Sequence, residues 1–368
     1  MGSATEAESL SRSHCGHPIE LTVLDFLGAC NGSDWFVSFG ERAASCGARV
    51  TITRIVSALV MAALALAGAR FALADVRTAP EPITSFDLTE IAPGNYVHYG
   101  THEERSRHNL GDNANIGFIV GDRCVAVVDT GGSAAVGQAL HQALRRVTQL
   151  PVCYVVLTHV HPDHLFGATA FREDNPQFVG HAELPRALAA RGKFYTNTLR
   201  RDLGDAAQGS EIVEPTLLVK DDLVLDLGGR SLRVHAWPVA HTDNDLTVYD
   251  EKTGTLWLSD LLFVDHTPVV DGSILGFIKV LEQLREVPVN YFVPGHGRTE
   301  APWPQALDPE LRYLNVIVAE VRLALKARKT IQEAVDTVGY SEEANWVNFE
   351  QFHRRNVTSA YAELEWEE

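Results

Sequence analysis

Short apolar runs rich in β-branched residues recur from residue 115 onward, each bounded by Gly, Pro, Asp or Asn. They predict strands over 115–120, 123–128, 152–157, 231–236, 245–249, 255–258 and 291–293. Helical spacing lies between them. Residues 133–147 are amphipathic, 182–191 form a short Ala-rich helix, and 274–286 set Ile274, Phe277, Ile278, Leu281 and Leu284 along one face. Strands alternating with helices predict an α/β layered domain. Beyond residue 300 the pattern becomes helical. Asp308-Pro309 starts a helix with Pro in its first turn, and Leu311, Leu314, Ile317, Val318, Val321 and Leu325 follow its face. Thr330 and Glu333 make a capping-box pair, and Gly339 closes that short helix. A last helix is expected over 346–365 with Asn345 as its N-cap. Residues 75–94 are Pro-rich and read as a lead-in.

The first 74 residues follow another pattern. Residues 1–48 carry no sustained period and hold Cys15, Cys30 and Cys46 in a Gly/Ser/Ala-rich context. Arg49 and Arg54 precede an apolar run over 55–69, and Ala72-Leu73-Ala74 offers a small-residue cleavage site. The run is shorter than the ~20 apolar residues of a membrane span. Residues 49–74 therefore read as a secretory signal peptide, which addresses the chain to the periplasm. Residues 1–48 read as a non-native or disordered extension ahead of a start near Arg49 or Val50. Membrane contact is expected only through an uncleaved signal segment. Past residue 74 only Cys124 and Cys153 remain. Each reads as a small buried strand residue, although export would permit a disulfide between them.

Charge narrows the partners. The chain has 31 Lys+Arg against 48 Asp+Glu, a formal net charge of −17. That balance excludes non-specific nucleic-acid binding, which needs a basic footprint.

The strongest chemical signal is Thr158-His159-Val160-His161-Pro162-Asp163-His164, which follows the apolar run over 152–157. Residues two apart in an extended segment point the same way, so His159 and His161 can converge on one metal ion. A turn at Pro162 then lets Asp163 and His164 face a second position. Imidazoles with carboxylates suit a borderline divalent ion such as Zn²⁺. His241 opens the segment His-Thr-Asp-Asn-Asp after an apolar run. Asp260 sits inside Trp257-Leu258-Ser259-Asp260-Leu261-Leu262-Phe263, where a carboxylate is costly unless paired or metal-bound. His296 stands between two glycines that permit an unusual loop conformation.

With Asp129 in Val127-Val128-Asp129-Thr130-Gly131, these segments resemble the metallo-β-lactamase superfamily over about residues 95–300. The resemblance implies an αββα sandwich with the site at one edge between two sheets. It divides the chain into a hydrolase domain at 75–300 and a helical C-terminal extension at 301–368. It implies that His159, His161 and His241 hold one zinc ion and that Asp163, His164 and His296 hold a second. Asp260 would bridge the two, and Asp129 would orient a ligand by hydrogen bonding. Iron or manganese in place of zinc stays open. Two such ions sharing a hydroxide would let it attack an ester, thioester or amide carbonyl of a small acyl substrate, with Asp163 orienting the nucleophile.

A narrower resemblance reaches the C-terminus. Residues 114–118 and 240–248, Arg355-Asn356-Val357-Thr358 and the ending Glu363-Leu364-Glu365-Trp366 are similar to the quinoprotein relay system zinc metallohydrolases, the SoxH-like branch. It implies association with a periplasmic quinoprotein dehydrogenase. The alternatives are a class B β-lactamase, an iron persulfide dioxygenase, or a non-catalytic zinc-binding accessory protein. The dedicated zinc β-lactamases lack a bridging Asp at the position of Asp260. His266 and Asn115 are further candidates for the substrate side of the site, whereas His102, His181 and His353 read as structural.

Overall fold

The computed structural model describes Ile83 and residues 86–367. The signal-peptide expectation and Cys15, Cys30 and Cys46 lie outside the described residues. In chain order the elements are β1 (Thr89–Ala92), β2 (Asn95–His98), β3 (Ile116–Val120), β4 (Val125–Val128), α1 (Ala134–Val147), β5 (Val152–Leu157), α2 (Pro162–Leu165), β6 (Gln177–His181), α3 (Leu184–Leu203), β7 (Leu217–Val219), β8 (Asp222–Asp226), β9 (Ser231–Ala236), β10 (Leu246–Asp250), β11 (Thr255–Phe263), α4 (Ile274–Leu284), β12 (Tyr291–His296), α5 (Asp308–Lys326), α6 (Ile331–Val335) and α7 (Phe349–Leu364). Strands β1 to β7 lie side by side in sequence order, antiparallel as far as β4 and parallel from there. The second sheet runs β12-β11-β10-β9-β8, with only the β11–β12 pair parallel.

Three apolar layers follow from strand alternation. Ala126 and Val128 of β4 join Val156, Val179, Val234, Val248 and Trp257 between the two sheets. Val125 and Val127 face the other way and pack under α1 and α3. On the second sheet Trp257 points inward, while Leu256 and Leu258 meet α4, α5 and α7. Two sheets buried on both faces between helices make the αββα sandwich. The C-terminal helices share one core with β11 and α4. Among the described residues, no helix is long and apolar enough to cross a membrane.

Several boundaries differ from the sequence reading. The Pro-rich lead-in contains β1, an edge strand whose half-polar surface carries no strong alternation. Strands β2, β6, β7 and β8 are also additional; Gln177–His181 contains a Gly and β7 spans three residues. Helix α3 is a full 20 residues, because its outer face is polar and conceals its length. The last helix starts at Phe349, not at residue 346. Asn345 ends a 3₁₀ turn, and Asn348 takes the N-cap position at φ 60°. The Thr330–Glu333 capping box forms as the sequence indicates, and Ser133 proves to be the N-cap of α1.

Cys124 and Cys153 form a disulfide, with Cα atoms 5.8 Å apart, a pairing the sequence leaves open. Adjacent strands bring them together: Val125, next to Cys124, pairs with Val152, next to Cys153. Closing this 29-residue separation restricts the unfolded chain by about 3–4 kcal/mol. The Cys124→Ser/Cys153→Ser variant is expected to lose about that much in denaturant unfolding.

Candidate metal centre

Four strands bring their side chains to one edge of the sandwich. Strand β5 delivers Thr158 and His159. His161 remains extended (φ −71°, ψ 145°), and Pro162 then starts α2, so the chain changes from period two to a helical turn within the motif. His159 and His161 consequently share one side with buried Val160 on the other, while Asp163 and His164 turn towards a neighbouring position. Strand β9 leads to His241, β11 carries Asp260, and β12 ends in His296.

The side chains form two donor sets. His159, His161, His241 and Asp260 make one; Asp163, His164 and His296 make the other. Asp260 reaches both. Its Oδ2 lies 3.3 Å from His241 Nε2 and 3.6 Å from His159 Nε2. Its Oδ1 lies 3.1 Å from His164 Nε2 and 3.4 Å from His296 Nε2. Asp163 Oδ2 closes the second set at 3.5 Å from His296 Nε2.

Each first-set imidazole, and His164, has its other nitrogen engaged. Thr158 Oγ1 is 3.1 Å from His159 Nδ1, Asp271 Oδ2 is 2.8 Å from His161 Nε2, and the Val269 carbonyl is 2.7 Å from His241 Nδ1. Asp129 Oδ2 is 2.9 Å from His164 Nδ1. Asp129 also accepts from Thr158 N, Thr158 Oγ1 and Ser259 Oγ. Such outer partners fix which ring nitrogen faces a metal and in what orientation.

Strand β11 needs an irregularity to aim Asp260. Its pairing with β12 shifts register on both sides of Ser259, which adopts φ 47°. Gly295 lets the two strands approach: a Cβ there would fall 2.0 Å from Asp260 Oδ1. Gly297, at φ 77°, supplies the turn after His296. The two glycines thus do different work, and only Gly297 requires the left-handed region.

The donor set fits metal ions. His159 Nε2, His164 Nε2 and Asp260 Oδ1 are buried with no hydrogen-bond partner, a cost that coordination would remove. Burial pushes His159 well below the ordinary histidine range and His241 down to about 4, so both present neutral lone pairs. Burial opposes the charge on His164 as well, but Asp260, Asp129 and Asp163 outweigh it and hold its pKa well above normal. The pocket therefore draws positive charge to the point where the carboxylates meet.

A cavity of about 640 Å³ opens over the two sets. Asn113, Asp163, Tyr195, His266, Phe352 and Arg355 are among the residues that line it. His266 stacks on His296, with ring centroids 5.0 Å apart. Asn115 is a correction: it is buried and does not line the cavity. Its Nδ2 donates to the carbonyls of Pro294 and Gly297, so it braces the His296 loop. Asn113, two residues earlier, takes the polar position beside Asp163 at 3.4 Å. His353 is structural, held between Tyr313 Oη and the Val338 carbonyl.

Sequence reasoning missed Asp271, Thr158 and Ser259. Asp271 lies far along the chain from the motif and its loop has no periodicity. Thr158 and Ser259 each adjoin a ligand, and that adjacency was the available signal.

Known proteins show the same frame. The family model described as "Metallo-beta-lactamase superfamily" matches residues 110–296. The acyl-coenzyme A thioesterase MBLAC2 of Bos taurus is 28% identical over 218 residues, covering 52% of this chain and 76% of its own length. The Homo sapiens protein of the same name is 28% identical over 219 residues, with the same coverage. A metallo-β-lactamase family protein from Thermus thermophilus shares the fold, with a TM-score of 0.55 at 22% identity over 75% of this chain and 94% of that one. The match takes in Asp129 and all seven donor residues, and on that ground the chain belongs to the metallo-β-lactamase superfamily, as one of its metal-dependent hydrolases.

Proposed function

We propose that the chain is a di-zinc hydrolase that cleaves an acyl carbonyl bond, with thioesters as the foremost class. The observation that carries this reading is the division of Asp260 between two donor sets, one oxygen to each. Zinc held there would supply an activated water and polarise the carbonyl. The chain's own residues do the rest. Asp163 has the most accessible carboxylate of the donor sets, 19% exposed against 5% for Asp260, and it lines the cavity, where it can orient the attacking water. Thr158, Asp271, Val269 and Asp129 keep the imidazoles aimed while charge builds on the carbonyl oxygen. Phe352 and Tyr195 give an acyl group an apolar wall, and the volume is within the range of small-molecule sites. The acyl-coenzyme A thioesterases among its relatives support the thioester preference.

The reading includes export. The Cys124–Cys153 disulfide and the signal-like segment at 49–74 both support a periplasmic site of action. Resemblance to the quinoprotein relay group supports work beside a quinoprotein dehydrogenase.

The test is a panel of acyl thioesters, aryl esters, anilides and nitrocefin, run before and after chelation. The expected result is thioester turnover that falls at least a hundredfold on chelation and returns with zinc. Preferred turnover of nitrocefin would assign a β-lactamase instead. Oxygen uptake by an iron-loaded chain would assign a dioxygenase.

A further inference from the structure

Two ligands of the first donor set depend on one loop. Residues 268–274 supply the Val269 carbonyl to His241 Nδ1 and Asp271 Oδ2 to His161 Nε2. These contacts leave His161 Nδ1 and His241 Nε2 facing each other at 2.9 Å, turned towards the metal position. The loop lies between β11 and the first turn of α4 and has no ladder of its own to hold its shape.

Helix α7 holds it. Asn356, fully buried, accepts from Val270 N at 3.0 Å and donates to the Pro268 carbonyl at 2.6 Å. Arg355 ion-pairs with Asp271. Glu363 accepts from Ser273 Oγ at 2.6 Å and from Ile274 N at 2.8 Å, where α4 begins. Three side chains of one helix thus grip the loop at its start, middle and end. The helix lies beyond residue 296, outside the matched family segment. The second donor set is supported differently: Asp129 orients His164, and Asn115 braces the loop of His296.

We propose that α7 is a positioning element for one half of the metal centre. Acting through residues 268–274, it fixes His161 and His241 and so sets the affinity of the first metal position. The second is reached from α7 only by ring packing, Phe352 on His266 and His266 on His296, and does not depend on residues 268–274. Asp271 is the central positioning residue. It receives His161 on one side, and Arg355 and Arg191 on the other, which keep its carboxylate charged and aimed. The loop is held by defined hydrogen bonds, so loosening α7 frees two imidazoles at once. This inference rests on the reading that the donor sets bind metal, but not on the substrate.

Zinc affinity of the full chain, measured by competition with a chromophoric chelator, tests it without using turnover. In a His296→Ala background, which leaves the first set intact, Asp271→Asn is expected to weaken zinc by about 10- to 100-fold. Arg355→Gln is expected to weaken it by about 3- to 10-fold, with Arg355→Lys retaining more affinity because it keeps the charge. In a His161→Ala background, which leaves the second set, the same changes are expected to alter affinity by less than about twofold. Arg355 is half-exposed, so its variants fold even where Asn356→Ala does not. Unchanged first-set affinity in both Asp271→Asn and Arg355→Gln would overturn the proposal, as would equal weakening in the two backgrounds. Failure of the unsubstituted chain to bind zinc would overturn the metal reading itself.

Discussion

Asp260→Ala is expected to lower kcat/KM by about three orders of magnitude or more, some 4 kcal/mol of transition-state stabilisation. It should also reduce the metal content of the purified chain. Asp260 is the one side chain shared by both donor sets, with its oxygens 3.1–3.6 Å from four imidazole nitrogens. The carboxylate is 5% exposed and held charged despite burial, because His164 and His296 lie beside it. Without it, the three imidazoles of the first set have no anion to balance a cation, and the second set keeps only Asp163. Asp260→Asn separates charge from shape: it keeps the volume, loses the negative charge, and is expected to fall nearly as far. The fold should survive both changes, since neither removes apolar packing. Metal analysis and steady-state kinetics on the same preparation check this, and full metal content with full activity would refute it.

Gly295→Ala is expected to lower activity by about a hundredfold although it adds only one methyl group to a residue that does no chemistry. The added Cβ would sit 2.0 Å from Asp260 Oδ1, 2.5 Å from Ser259 C and 2.7 Å from Asp260 N. Two of these are backbone atoms of β11 and cannot rotate away, so β12 must shift. His296 is the next residue and moves with it, away from Asp260 Oδ1 at 3.4 Å. A displacement near 1 Å in such a site is enough to cost about two orders of magnitude. The loss should fall on kcat and on metal retention, with a smaller change in KM, because the cavity wall away from β12 is untouched. A chain with normal metal content and normal kcat would show that β11 and β12 tolerate separation.

The legibility of this protein in its sequence was uneven for physical reasons. The core strands were plain because both sheet faces are buried, although the reading at 255–258 covered only the first four of the nine buried residues of β11. Edge strands β1, β7 and β8 face water on part of their surface and carry little pattern. The motif at 159–164 was readable because its ligands are contiguous and its geometry is local, two residues of strand and then a turn. His241, Asp260 and His296 were readable only as a set, since each alone resembles an ordinary strand-end residue. Asn115 was misread because its partners, the carbonyls of Pro294 and Gly297, lie about 180 residues along the chain and leave no local signal. Asp271 was invisible, being a single aspartate in an aperiodic loop whose partners, His161, Arg191 and Arg355, come from three other segments. The disulfide was undecided for the same reason, because strand adjacency is a tertiary fact.

Anomalous X-ray scattering at the zinc edge, from crystals of the zinc-loaded chain, tests the central claim most directly. The account predicts two peaks about 3.5–4 Å apart. One should lie among His159, His161 and His241, the other among Asp163, His164 and His296, with Asp260 between them. A single peak, or zinc bound away from these seven side chains, would contradict it.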